Sequence, residues 1–464
     1  MVHLWHDFQS CITSKSHANF FLGKLSVKMK LNLRQFYHAC NPSKTLVVGN
    51  PEERRYYIDF SSVRGGKIIE ELSRTIARLS PDEPTCQLFT GHIGCGKSTE
   101  LLRLKKFLEE NGFYVVYFES SEELEMADVD LTDILLAIAH QLSENLKHQS
   151  IYTQSEYFQN LFTELAHIFP NSLENIDSLD FDLVIGQITA QSKESPKLRN
   201  QLRQYLEPRT SGILNSINTE IIHPATTQLK QQGKKGLVVI VDNLDRVDNK
   251  PVASGRSQPE YLFVDRGEQL RKLNCHKVYT IPLSLIFSGS SEFLKNRLGG
   301  GVAPKVLPMV PVHLRSGEEC KKGLSLLRQT VLARAFPDLD AAAQFNLITE
   351  VVDHPETLDR LCRVSGGHIR NLLGLIYRCL QSEDPPFPRH LIEMVISERA
   401  AELSLAIQPG DWELLREVAQ TKQVRGESNY QRLLRSMSVF EYRVGNAGRW
   451  FDINPMLFYF ISDS

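Results

Sequence analysis

The sequence predicts an α/β fold, with a parallel sheet flanked by helices, then an all-helical segment and a terminal unit of helices and a hairpin. Three observations carry that expectation. Short apolar runs without alternation recur at 86–90, 113–119 and 237–241, the pattern of parallel strands buried on both faces. Amphipathic stretches stand between them, such as 100–110, with Leu101, Leu104 and Leu108 on one face, and 131–146. From Glu318 the pattern is helical until 439–444 and 449–453 flank the turn Gly445-Asn446-Ala447-Gly448 as two short strands.

Taken in order, residues 1–45 read as a flexible extension with Met29 as an alternative start, and 56–60 as an extended patch. A helix over 67–78 stops at Ser80-Pro81-Asp82-Glu83-Pro84. Residues 147–232 read as a helical insertion rich in Gln, Asn and Ser, because the next core strand waits until Leu237. Further strands are predicted at 279–287, interrupted at Pro282, and at 305–313. Helices follow at 318–335, 339–352, 355–364 and 370–379. The run Ser382 to Pro388 reads as a linker to the last unit, with helices at 389–406, 412–420 and 430–437. The predicted divisions are therefore a core at 46–315, a helical segment at 316–383 and a terminal unit at 388–464.

A chain of 464 residues with net charge −2 and 42% hydrophobic residues fits a globular protein with ample cores. Near-neutral charge removes any whole-chain argument for nucleic acid; a basic surface has to be local. The eight cysteines (11, 40, 86, 95, 275, 320, 362, 379) include no C-x-x-C pair. That spacing argues against a zinc site or disulfide framework and for a reducing compartment. No run approaches the ~18 apolar residues of a membrane span, and the first residues lack the features of a signal peptide. No membrane partner is expected, and a cytoplasmic location is.

The sharpest motif is Gly91-His92-Ile93-Gly94-Cys95-Gly96-Lys97-Ser98-Thr99, which matches G-x-x-x-x-G-K-[ST] between a predicted strand and a predicted helix. Such a loop wraps phosphates with its main-chain N–H groups, and the helix N-terminus adds a favourable dipole. Lys97 is expected on the β- and γ-phosphates and Ser98 on Mg²⁺. These residues predict a nucleoside triphosphate ligand. Downstream, Val238-Val239-Ile240-Val241-Asp242 is an apolar strand ending in a carboxylate, and Asp242 is the expected second holder of Mg²⁺.

With the two motifs in place, 56–464 resembles the AAA+ and signal-transduction (STAND) branch of P-loop ATPases, and Asp242-Asn243-Leu244-Asp245-Arg246 is similar to the Walker B ending of KAP-like relatives. The resemblance implies a P-loop NTPase core, an all-helical lid, a C-terminal winged helix, and ATP with Mg²⁺ as ligands. It implies a polar sensor at Ser288 or Ser290, after the strand that follows Walker B. It also implies a γ-phosphate arginine at Arg370, in Ser365-Gly366-Gly367-His368-Ile369-Arg370, and a finger acting on a neighbouring subunit at Arg297 in a nucleotide-dependent homo-oligomer. The base is expected to bind near Tyr57 and Ile58.

One departure matters. Relatives follow the Walker B aspartate with a glutamate that activates water; here Asn243 stands there and can only orient the water. Asp245 is the nearest other candidate base, or else it is a structural partner of Arg246. Two functions remain open: an ATPase that drives lid and winged helix, and a nucleotide-gated DNA-binding or regulatory switch with little turnover. The tail carries Lys422, Arg425, Arg432, Arg435, Arg443 and Arg449 against Glu427 and Glu441, a surface suited to DNA or to a protein partner. Phe440, Trp450 and Phe451 read as core of the hairpin, and the acidic stretch 119–133 as a solvated face.

Overall fold

Five strands form one parallel sheet in the computed structural model, which describes residues 31–464 except 153–154, 169–185, 187, 189, 191–192, 253, 427, 445–447 and 462–464. They are β1 (Cys86–Gly91), β2 (Tyr114–Glu119), β3 (Leu237–Asp242), β4 (His276–Thr280) and β5 (Lys305–Leu307), in the order β2-β3-β4-β1-β5. All pairings are parallel, so the carboxyl ends share one edge, where functional loops of α/β sheets gather. Every residue of β3 is buried, as its unbroken apolar run requires.

The helix Lys97–Glu110 returns across the sheet and buries Leu101, Leu104 and Leu108 against Phe89, Val115, Val238 and Ile240. Each leucine contributes about 2 kcal/mol by leaving water. On the opposite side, Leu131–Lys147 and the helices of the expected insertion make one core with β2 and β3. Those helices include Glu156–Ile168, Pro196–Leu206 and Thr210–Ser216.

Several predicted bounds shift for identifiable reasons. The strand expected over 279–287 is His276–Thr280, and Leu283–Phe287 is a 3₁₀ helix, because Pro282 cannot extend the ladder. The strand expected over 305–313 stops at Leu307, where Pro308 removes the next donor. The expected 339–352 helix divides into Ala341–Asn346 and a 3₁₀ turn at Ile348–Glu350. Within the expected flexible extension, residues 1–30 lie outside the described residues. Leu33–Ala39, however, is a helix whose buried Phe36 packs in the lid's core. The turn Gly445-Asn446-Ala447 also lies outside them.

The lid core joins Lys321–Ala335, Pro355–Val364 and Ile369–Ser382. Arg389–Ser404 belongs to the same core through Leu391, Ile392, Val395 and Ile396, so packing crosses the expected boundary at 388. The terminal unit keeps the expected order: Asp411–Thr421, Ser428–Arg435, then the antiparallel pair β6 (Val439–Arg443) and β7 (Arg449–Ile453). Its own core holds Leu415, Val418, Leu433, Val439, Phe451 and Ile453. Strand alternation turns Phe440, Tyr442 and Trp450 the other way, into the core under the sheet. The hairpin is therefore buried on both faces.

Among the described residues, no helix is long and apolar enough to cross a membrane.

The turn that opens the lid's Ile369–Ser382 helix fits only glycine. Gly367 has φ +74°, and a Cβ there would stand 1.7 Å from the Val310 carbonyl oxygen. Gly367→Ala is expected to lose more than ~2 kcal/mol in chemical denaturation, whereas Gly49→Ala, with open space around it, should stay within ~0.5 kcal/mol of the parent. Equal stability of the two variants would refute the tight approach of lid and core.

Candidate nucleotide-binding site

The loop after β1 turns into the helix at Gly96, whose φ of +101° is open to glycine and rare for other residues. Residues Ile93 to Glu100 line a cleft between sheet edge and lid. Leu46, Tyr57, Ile58 and Phe60 give the cleft an apolar lining, together with Leu373 of the lid. This is the region expected to take the base. Arg64, to which sequence alone assigns no role, is buried and ties the loop down, donating to the Cys95 carbonyl at 2.5 Å and to that of Pro308. The Cys95 thiol points beneath the loop and is fully buried.

Lys97 is the charge at the centre. Its ammonium donates to the carbonyls of Gly91 at 3.0 Å and His92 at 2.9 Å, and pairs with Asp245 at 2.9 Å. Burial opposes its charge, yet Asp245 and Asp242 hold it above the usual lysine range. Asp245, expected either to act as base or to pair with Arg246, pairs with Lys97 here.

Asp242 is fully buried at the end of β3. Its carboxylate accepts from Tyr117 Oη at 2.9 Å, from the Asn243 amide at 2.7 Å, and from the Ser98 hydroxyl. Burial raises its proton affinity, with Asp245 adding to the effect. Ser98 and Asp242 thus meet, as two hard oxygen donors suited to Mg²⁺. Asn243 stands at φ +63°, and its side-chain amide donates to Glu119 at 2.5 Å and Ser121 at 3.2 Å.

Arg370 lines the cleft from the lid, and burial with nearby Arg246 lowers its pKa. Its main-chain N–H donates to the Gly94 carbonyl at 3.3 Å. Thr99 also lines the cleft.

Three expected residues sit elsewhere. Ser288 does not end a strand: it caps the 3₁₀ turn, donating to the Leu285 carbonyl at 2.9 Å, away from the cleft. The polar side chain that does end β4 is Thr280, which accepts from the Leu244 amide at 3.0 Å. Ser290 Oγ donates to Glu260 at 3.0 Å. Arg297 pairs within its own chain, with Asp265 at 3.6 Å. His92 belongs to the loop but faces backwards, its Nε2 accepting the Glu441 amide at 2.8 Å.

Four of the tail's six basic side chains pair with carboxylates of the chain, while Arg443 stays exposed. Lys422 pairs with Asp452, Arg425 with Glu417, Arg432 with Asp411 and Arg449 with Glu441. Arg435 donates to the Val247 carbonyl at 3.2 Å. Counting nearby sequence charges misses Asp411, Glu417 and Asp452, which folding brings in. The acidic stretch is likewise not a bare solvated face, since Arg203 bridges Asp128, Asp130 and Asp133. Sequence reasoning also misses Tyr117, His368 and Glu441. Tyr117 has a signal: an aromatic hydroxyl near the end of a strand that pairs with Asp242's.

Sheet order, phosphate loop and the Ser98–Asp242 meeting define a P-loop NTPase domain. Within that class, residues 66–254 match the model of the KAP family P-loop domain. No curated protein matches the chain. Two solved structures are similar at low identity. The ORC2 protein of Aeropyrum pernix, in ADPNP–ADP complexes, is 12% identical, covering 83% of this chain and 89% of that one, with a TM-score of 0.34. Cdc6p of Pyrobaculum aerophilum is 11% identical, covering 88% and 97%, with a TM-score of 0.34.

Two outcomes follow from the charges. Asp245→Ala leaves the buried ammonium unpaired, a cost of about 3–5 kcal/mol. Melting curves should show that loss without nucleotide and its relief at saturating ATP, whose phosphates replace the counter-charge; equal loss in both conditions would make Asp245 merely structural. Burial raises the Glu441 carboxyl to about 7 from 4.5, against Arg449 and Arg443. The folded state then keeps a proton between those values that the unfolded state has released, so stability falls as pH rises through that window and levels off above it. The Tm advantage of Glu441→Gln over the parent should therefore be small near pH ~4.5 and greatest near pH ~8.

Proposed function

We propose that the chain binds ATP with Mg²⁺ in this cleft, hydrolyses it, and passes the state of the phosphate loop to the lid and the C-terminal winged-helix unit. Ser98 and Asp242 hold the metal, which supplies charge neutralisation at the phosphate oxygens. Lys97 leaves Asp245 for the β- and γ-phosphates, the loop amides wrap the phosphates, and Arg370 answers the γ-phosphate charge from the lid. This is electrostatic preorganisation by fixed donors. The apolar lining around Tyr57 takes the base.

One observation carries the coupling. The phosphate loop is hydrogen-bonded on its back to both moving parts: His368 Nε2 meets the Ile93 carbonyl at 2.8 Å, and the Glu441 amide meets His92. Phe440 lies between the two imidazoles, stacked on His368 and edge-on to His92. A shift of the loop has nowhere to go without moving lid or hairpin.

A second reading, a gated switch with little turnover, is favoured by Asn243 at the base position and by the docking of Ser428–Arg435. In this arrangement Arg432 and Arg435 are engaged internally, so a DNA or protein partner meets that helix only after release.

Lys97→Ala should abolish ATP binding in calorimetry and reduce phosphate release to background. Hydrogen exchange over 428–443 should rise with ATP in the parent and stay constant in Lys97→Ala. Parent turnover equal to that of Lys97→Ala would remove the ATPase; exchange insensitive to ATP would remove the coupling.

A further inference from the structure

The place after Asp242 is taken by Asn243, an amide that cannot accept a proton, and Asp245 has one oxygen engaged by Lys97 at 2.9 Å. The neighbouring strand offers another carboxylate at the same edge of the sheet, Glu119. Resting on the ATPase reading above, we propose that Glu119, at the carboxyl end of β2, is the general base for the water that attacks the γ-phosphate.

Its placement follows from sheet geometry. Glu119 is the register partner of Asp242 across the β2–β3 pairing. Strand alternation sets Glu119 on the same face as Tyr117. That face meets the metal-holding pair, because the Tyr117 hydroxyl bonds Asp242 at 2.9 Å and Ser98. Glu119 is the last residue of β2, beside Asn243 at the carboxyl edge of the sheet. Its Oε2 accepts from Asn243 Nδ2 at 2.5 Å, and Asn243 lines the cleft. The amide that cannot act as base thus holds one that can, as a positioning residue. Its left-handed φ of +63° is the uncommon backbone that asparagine tolerates and that functional sites retain.

The groups facing Glu119 are mixed. Half-burial, then Asp242 and Glu122, raise its proton affinity, while Arg246 and the Asn243 amide lower it; the net direction is upward. In the step, the water oxygen forms a bond to Pγ as its proton passes to the Glu119 carboxylate. The bond from Pγ to the β-phosphate oxygen breaks, and its electron pair leaves on ADP. The proton on Glu119 then returns to solvent or departing phosphate.

Glu119→Gln keeps shape and hydrogen bonding and removes the base. Single-turnover phosphate release should fall about 10²–10⁴-fold, with ATP affinity by calorimetry within about threefold and Tm unchanged. The acid limb of the parent's rate–pH profile should vanish from the residual activity. Glu119→Asp gives a second measure should Glu119→Gln fold poorly: it keeps the charge, retracts it by one methylene, and is expected to lose about tenfold in rate with unchanged affinity. Parent-like rates in either folded variant overturn the proposal while leaving the ATPase reading intact. A parent no faster than Lys97→Ala overturns that reading, and Glu119's role with it.

Discussion

Lys97 brings an ammonium group into a place where 6% of its surface meets solvent. A charge so placed costs several kcal/mol unless partners replace its water. Two loop carbonyls and Asp245 are those partners, and each commits a different segment of chain: the end of β1, the turn after it, and the turn after β3. Asp242 and Asp245 in turn lie close enough to raise the Asp242 carboxyl's proton affinity, so the acidic residues are tolerable only with the lysine among them. The arrangement stores a ready exchange. A triphosphate at the loop would offer Lys97 further acceptors and free Asp245 from it.

The C-terminal unit shows what such an exchange can move. Its hairpin is not an appendage, since Phe440, Tyr442 and Trp450 complete the core beneath the sheet while Phe451 and Ile453 complete its own. Main-chain bonds from Met309 to the Glu441 carbonyl and from Gly65 to the Arg443 carbonyl fasten it along the edge that β5 leaves open. Within this frame the arginines of Ser428–Arg435 do structural work. Arg432 pairs with Asp411, and Arg435 donates to the Val247 carbonyl. Burial of His92 and His368 lowers their pKa to about 3 and about 4, so the imidazoles that join loop, lid and hairpin are neutral. Their bonds are directional and insensitive to salt, a suitable medium for conveying geometry.

Legibility in the sequence follows locality. The phosphate loop and Asp242 depend on residues adjacent in the chain, and both meet where their motifs place them. The apolar runs of β4 and β5 continue past Pro282 and Pro308, while hydrogen bonding does not, so pattern alone makes both strands too long. Ser288 is misplaced for the same reason, because the strand it would end closes at Thr280. The pairing of the tail's charges is not legible locally, because Asp411, Glu417 and Asp452 reach Arg432, Arg425 and Lys422 from other elements. The linker at 382–388 is real as a break in helix but not in packing: its prolines interrupt the backbone while Leu391 and Ile392 continue the lid core.

Asn243 and Glu119 make the same point about chemistry. A base required beside Asp242 can be supplied by the next residue along the chain or by the residue level with it on the neighbouring strand, ~4.8 Å away across the hydrogen bonds. In a parallel sheet these routes reach one region, because all strands end on the same edge. Reading along the chain finds only the first. The Glu119–Asp242 register belongs to the second, and it joins residues more than a hundred positions apart through the insertion between β2 and β3. Asn243 leaves the place along the chain without a proton acceptor, while the adjoining strand ends in Glu119, which accepts from the Asn243 amide at 2.5 Å.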